Sequence, residues 1–158
     1  MSFLLSICLL ASQHLEISNY QQSIICKHEH EIRKHAKDNN LEPELLAALI
    51  FVESSFYPNV VSFAGACGLT QVVPRWTGHK ETRGVKYTCK QLKAPVTSIK
   101  VGAQILSYNI RVYAKGNENK GLCFYNAGTK CITKKGFYKR LGYVKKVRHI
   151  YNIFIGGC

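Results

Sequence analysis

Acidic residues are scarce in this chain of 158 residues: Asp and Glu number 9 against 22 Lys and Arg, a formal charge of +13. After Glu53 in the chain only Glu81 and Glu118 are acidic, and the single Asp, Asp38, lies ahead of it. Chemistry that needs two facing carboxyl groups, as ordinary glycosidases do, therefore has few candidates. Glu81 lies in a stretch with Lys80 and Arg83, and Glu118 lies in an Asn-rich turn, so both read as surface charges. No CxxC spacing occurs, which leaves a zinc ribbon or a thioredoxin-type site unsupported. No internal repeat or low-complexity tract appears, which argues against a repeat array. No apolar run approaches the roughly 20 residues that cross a bilayer.

The longest apolar run, residues 3–11, has the length of a signal-peptide core, although no Lys or Arg precedes it and the small-residue site near Ala11-Ser12 is poor. Residues 1–18 are read as an export signal, with an uncleaved anchor and a buried first helix as alternatives, and residues 19–158 as one domain. A hydrophobic content of 46% suits a single core of that size. Setting Cys8 aside leaves Cys26, Cys67, Cys89, Cys123, Cys131 and Cys158, an even set that fits disulfides in an oxidising compartment. Cys123 with Cys131 is the pairing favoured, since the two flank a glycine-containing turn. The expected location is periplasmic or secreted.

Apolar spacing predicts a mainly α chain. One helix covers residues 20–37, and a second carries Leu45, Leu49, Val52 and Phe56 on one face, with Pro43 near its start and Pro58 beyond its end. Residues 58–75 read as loop and 76–95 as an irregular or small β element. A long helix follows over 96–115, broken at Asn117-Glu118-Asn119, then a helix opening at 122–126, turns over 128–136 and a last helix over 137–154.

Glu53 falls in the last turn of the second helix. The partial negative charge of a helix C-terminus and the water-excluding side chains of Phe51, Val52 and Phe56 both favour its protonated form. A glutamic acid held protonated near neutral pH is what a general acid needs. Taken alone, the residue reads rather as an exposed helix-end glutamate without a role. Cys26, His28, His30 and His35 invite a metal reading, but a polar helix face with a disulfide cysteine is preferred, and no metal or other cofactor is expected. The basic aromatic stretch 134–140 has the composition to stack bases and neutralise phosphate; a solvated face on an anionic wall is preferred, and no nucleic-acid partner is expected.

Glu53-Ser54, then Ser62 with Gly65-Ala66-Cys67-Gly68-Leu69-Thr70-Gln71, then Pro95, Ile99, Gly102 and Leu106, then Phe124-Tyr125-Asn126-Ala127-Gly128 and Tyr143-Val144 stand in a fixed order. This series resembles the soluble lytic transglycosylase catalytic domain, across roughly residues 30–152. Thr70 stands where Met is common in that family and Phe124 where Ala is common. The resemblance implies a mainly α, lysozyme-like single domain of the goose-type lysozyme and lytic transglycosylase kind. It implies Glu53 as the catalytic acid, with Ser62, Gln71, Tyr125, Asn126 and Tyr143 orienting it or binding sugar. The implied substrate is peptidoglycan glycan, cut between N-acetylmuramic acid and N-acetylglucosamine to leave 1,6-anhydro ends, by a monomer on an anionic wall surface. A lysozyme-type hydrolase of the same bond and a non-catalytic wall-binding protein of the same fold stay open beside it.

Overall fold

The computed structural model describes residues 6–131 and 141–156. Its centre is α3 (Pro43–Ser54), in which Leu45, Leu46, Ala47, Ala48, Leu49 and Ile50 are all fully buried. A helix apolar on every side belongs inside the protein, so the single face expected from Leu45, Leu49 and Val52 understates its burial. Ala47 and Ala48 supply the rest of that buried surface and let neighbours approach closely. Helix α7 (Leu141–Phe154) packs along α3 through Val144, Val147, Ile150 and Phe154. Helix α2 (Asn19–Asp38), opened by a Ser18–Gln21 capping box, lies against both α3 and α5 (Pro95–Tyr108).

The apolar run near the N-terminus forms α1 (Ile7–His14), which buries Ile7, Leu10 and Ala11 against the same core. Its first turn is held by Glu29 of α2. That carboxylate accepts from the Ser6 hydroxyl at 2.6 Å and from the amides of Ile7 and Cys8 at 3.0 and 3.1 Å. These bonds, with those from Arg33, outweigh the effect of burial and hold its pKa below the ordinary carboxylate value. The docking sets Cys8 against α2, where it is bonded to Cys26. Setting Cys8 aside was therefore wrong for the cysteine framework, and Cys26 is a disulfide sulfur rather than a free thiolate ligand. The other bonds are Cys67–Cys89 and the expected Cys123–Cys131; Cys158 lies outside the described residues.

Between α3 and α5 the described residues contain no strand. Two isolated antiparallel bridges, Val61 to Cys67 and Cys67 to Val72, fold residues 60–72 on themselves. Beyond them come 3₁₀ turns at Pro74–Trp76 and Lys80–Thr82 and the short helix α4 (Cys89–Leu92), in place of the β element allowed for residues 76–95.

The long helix expected over 96–115 is α5 followed by a π-helical turn, Asn109–Tyr113. Helix α6 (Glu118–Ala127) starts four residues earlier than the sequence reading placed it, because the Asn117 side chain caps it by accepting from the Lys120 amide at 2.9 Å. Gly121 lets α6 press on that π turn: a Cβ there would lie 2.3 Å from the Ile110 side chain. A 3₁₀ turn, Gly128–Cys131, follows α6. The basic aromatic stretch 134–140 and the expected start of the last helix at 137 lie outside the described residues.

Candidate active site

The chain leaves α3 through two consecutive left-handed residues, Ser55 (φ 50°) and Phe56 (φ 60°). Such positions cost a non-glycine residue about 1–3 kcal/mol each, and here they swing Phe56 back into the core, where it is 1% exposed. The Gln21 amide group donates to the Ser55 carbonyl at 2.9 Å and fixes the turn from α2. Glu53 is thereby held in the last turn of a helix that is packed on every side.

The Tyr143 hydroxyl, from α7, donates to Glu53 Oε1 at 2.5 Å. Burial pushes the Glu53 carboxyl up to about 7, and the Tyr143 hydrogen bond opposes that rise by favouring the anion. Desolvation is the larger effect, so the group is an acid that exchanges its proton near neutrality. Oε2 takes no hydrogen bond among the described residues and is the oxygen left to carry that proton. No second carboxylate contributes to the shift. Tyr125, from α6, is half-buried beside the site and its hydroxyl donates to the Thr70 carbonyl at 2.8 Å; desolvation and then the Glu53 charge raise its pKa, so it stays a neutral donor. Tyr143 is raised for the same two reasons, with its bond to Glu53 adding to them.

The loop facing Glu53 is fastened by polar side chains. Ser54, next to Glu53 and buried, donates to the Leu69 carbonyl at 2.7 Å and ties helix to loop. The Ser62 hydroxyl accepts from the Ala66 amide at 3.0 Å, and Gln71, itself left-handed at φ 50°, donates to the carbonyls of Val60 and Gly68 at 3.1 and 2.9 Å. Ser62 and Gln71 therefore shape the loop, and neither bonds to Glu53. Asn126 is exposed on α6.

The loop floor is a buried polar seam. The Thr70 amide donates to Ser98 Oγ at 3.1 Å and the Thr70 hydroxyl to the Ser98 carbonyl at 2.9 Å. Gly102 makes this approach possible, since a Cβ there would lie 2.4 Å from the Thr70 methyl. Ser54 was singled out only as part of the Glu53-Ser54 pair and Ser98 was missed, a serine inside an apolar helix being its one signal.

The transglycosylase SLT domain model matches residues 30–143. The chain belongs to the transglycosylase SLT domain family. A membrane-bound lytic murein transglycosylase C of Actinobacillus pleuropneumoniae serotype 5b is 51% identical over 47 residues, which cover 30% of this chain and 13% of that protein. Its namesake from Haemophilus influenzae (strain PittEE) is 28% identical over 113 residues, 65% of this chain and 32% of that one. The SLT domain chain thus spans a third or less of these relatives. Among solved structures, the 70 kDa soluble lytic transglycosylase in complex with bulgecin A superposes with a TM-score of 0.69 at 21% identity, over 85% of this chain and 25% of that one. The Escherichia coli enzyme gives 0.66 at 23% identity, over 79% and 23%. The lysozyme-like, mainly α fold expected of the family is the fold observed.

Proposed function

We propose that this protein is a peptidoglycan lytic transglycosylase with Glu53 as its one catalytic carboxyl group. The observation that supports this most directly is a half-buried carboxyl at the end of α3 whose pKa desolvation pushes up to about 7 and which accepts a hydrogen bond from Tyr143. In the first step Glu53 gives its proton to the glycosidic oxygen between N-acetylmuramic acid and N-acetylglucosamine. The C1–O4 bond breaks as the acetamido oxygen of the muramyl residue closes on C1. In the second step the Glu53 carboxylate takes the proton of the muramyl 6-hydroxyl, whose oxygen bonds to C1 and displaces the acetamido oxygen. Glu53 ends protonated, as it began, and no water is consumed. Tyr143 stabilises the carboxylate between the steps, Tyr125 holds the loop at Thr70, and Asn126 offers its exposed amide to the glycan.

Digestion of purified sacculi in ¹⁸O-water tests this. Soluble fragments are expected to carry 1,6-anhydromuramic ends without heavy oxygen; reducing ends bearing solvent oxygen move the protein to the hydrolase reading, and no fragments at all to the wall-binding one. Export belongs to the same proposal, supported by the three disulfides. No described helix is long and apolar enough to cross a membrane. The burial of α1 and the Cys8–Cys26 bond support an N-terminal segment that stays with the domain after export. An intact mass that includes Cys8 is expected, and a mass beginning after residue 18 overturns retention.

A further inference from the structure

A cavity of about 400 Å³ opens at the end of α3 opposite Glu53. Leu41, which lines it, lies just before α3 begins at Pro43, and from there to Glu53 the helix rises roughly 15 Å at 1.5 Å per residue. The walls come from the C-terminus of α2 (Asp38, Asn40), from Arg83 after the second 3₁₀ turn, and from Arg111 and Lys115 in and beyond the π turn.

Three features mark this cavity as built. Among the described residues, positive φ angles outside glycine occur at Ser55, Phe56, Gln71, Asn40, Arg83 and Lys115. The first two carry the chain out of α3 just past Glu53 and the third shapes the following loop; the other three all line this cavity. Backbone held in such conformations concentrates at ligand sites. One wall is the π turn, a rare geometry that also favours functional sites. The third feature is charge: Arg83, Arg111 and Lys115 bring three cations to one cavity, and none of them makes an ion pair among the described residues. The one acid of the cavity, Asp38, is already engaged by Lys34 at 2.6 Å. Two guanidinium forks and an ammonium with no internal partner form a receptor for an oxyanion, and guanidinium geometry suits a carboxylate in particular.

We infer that this cavity is a second wall-binding site that takes the carboxylates of a peptidoglycan stem peptide, separate from the glycan cleft. The inference rests on the wall-enzyme reading above. The peptide stems are the carboxylate-bearing part of that substrate, and a site about a helix-length from Glu53 engages them without obstructing the cut. The volume suits the end of a peptide, being within the usual range of small-ligand pockets.

The test uses the full chain carrying Glu53→Gln, so that binding is read without cleavage. Into it go either Arg83→Gln, Arg111→Gln and Lys115→Gln together, or Lys27→Gln, Lys90→Gln and Lys146→Gln as a control of equal charge loss. Each protein is titrated onto intact sacculi and onto sacculi stripped of stem peptides by an amidase. The cavity variant is expected to bind intact sacculi about tenfold more weakly, the sum of three exposed charge contacts, and stripped glycan as its parent does. The control is expected to lose less, and equally on both. Lys115→Gln alone, expected to lose about twofold, serves if the triple variant melts early. Equal losses for cavity and control variants, an equal loss on stripped glycan, or competition by inorganic phosphate but not by free stem peptide each overturn the inference. Lysis by the unmodified protein reports separately on the catalytic reading, so the two fail independently.

Discussion

The two halves of this molecule are held together by different forces. The helical cradle of α2, α3, α5, α6 and α7 shares one continuous apolar core, into which α1 also packs. The segment from Ser55 to Leu92 has a small core of its own, Cys67, Val72 and Leu92 with Val101 of α5. Phe56 and Leu69 also reach from it into the main core, and it is otherwise fastened by the Cys67–Cys89 bond and by side chains bonded to the backbone, among them Ser62, Gln71, Thr77 and Thr82. It also leaves Phe63 and Trp76 in solvent. The cradle positions the acid and the loop forms the wall opposite it. Apolar packing resists the loss of any one group by spreading the load, whereas a wall made of separate staples depends on each.

Glu53 lies where the halves meet, and its substitution should produce the largest effect. Glu53→Gln is expected to reduce release of muropeptides about 100- to 10,000-fold, the usual worth of general acid–base help, with an unchanged circular dichroism spectrum. Lysis within twofold of the parent removes Glu53 from the mechanism. The same variant carries a stability signature with a definite sign. Burial pushes the folded carboxyl up to about 7, from an ordinary value of 4.5. Between those values the folded state holds a proton that the unfolded chain has lost. Stability is thus fully supported below the unfolded value and falls as pH rises through about 7. Glu53→Gln should flatten that fall, so the variant gains on the parent at pH 8 relative to pH 4 in denaturant titrations.

Leu46→Ala, in the centre of the cradle and fully buried, is expected to cost about 2–5 kcal/mol in unfolding free energy. Activity per folded molecule should hold. Removing the loop bond with Cys67→Ser and Cys89→Ser together should cost about 2–4 kcal/mol, and here activity should fall further than folded fraction at the same temperature. Equal ratios of activity to folded protein in these two variants would erase the distinction between cradle and loop. The smallest effect is assigned to Tyr143→Phe. It removes a bond that favours the Glu53 anion, so the alkaline limb of the pH–rate profile should move upward, with a loss of about tenfold or less at its optimum. A profile unmoved by the change would make Tyr143 a packing residue only.

Much of this was legible in residue spacing, and what was not has identifiable causes. Glu53 could be placed in a helix end because Pro43, Pro58 and an apolar period bracket it, and an apolar helix end raises a carboxyl in any fold. The resemblance brought Tyr125 and Tyr143 to the same site, and the structure does place both beside Glu53. Ser62 and Gln71 were read toward sugar and carboxyl, and the loop bonds they make were not foreseen, because short polar side chains compete for nearby backbone groups and sequence does not say which bonds form. Residues 7–11 could not be sorted between export core and buried helix, since both are short apolar runs; the Glu29 carboxylate that caps α1 lies some twenty residues away. The π turn depends on how closely Gly121 approaches Ile110. The second cavity depends on left-handed backbone at Asn40, Arg83 and Lys115, and none of these is a glycine that would have announced it.

The bond between Thr70 and Ser98 bears on how the protein breathes. Thr70 is fully buried, its amide is donated to Ser98 Oγ, and its hydroxyl reaches the Ser98 carbonyl. Its amide cannot meet solvent unless loop and α5 separate, so its hydrogen–deuterium exchange rate reports that separation alone. The amides of Val60 and Gly65, bonded within the exposed part of the loop, exchange through smaller local openings. The wall opposite Glu53 is therefore divided into a floor tied to the helices through Ser98 and a rim bonded only within itself, and exchange at Val60 and Gly65 should run ahead of exchange at Thr70.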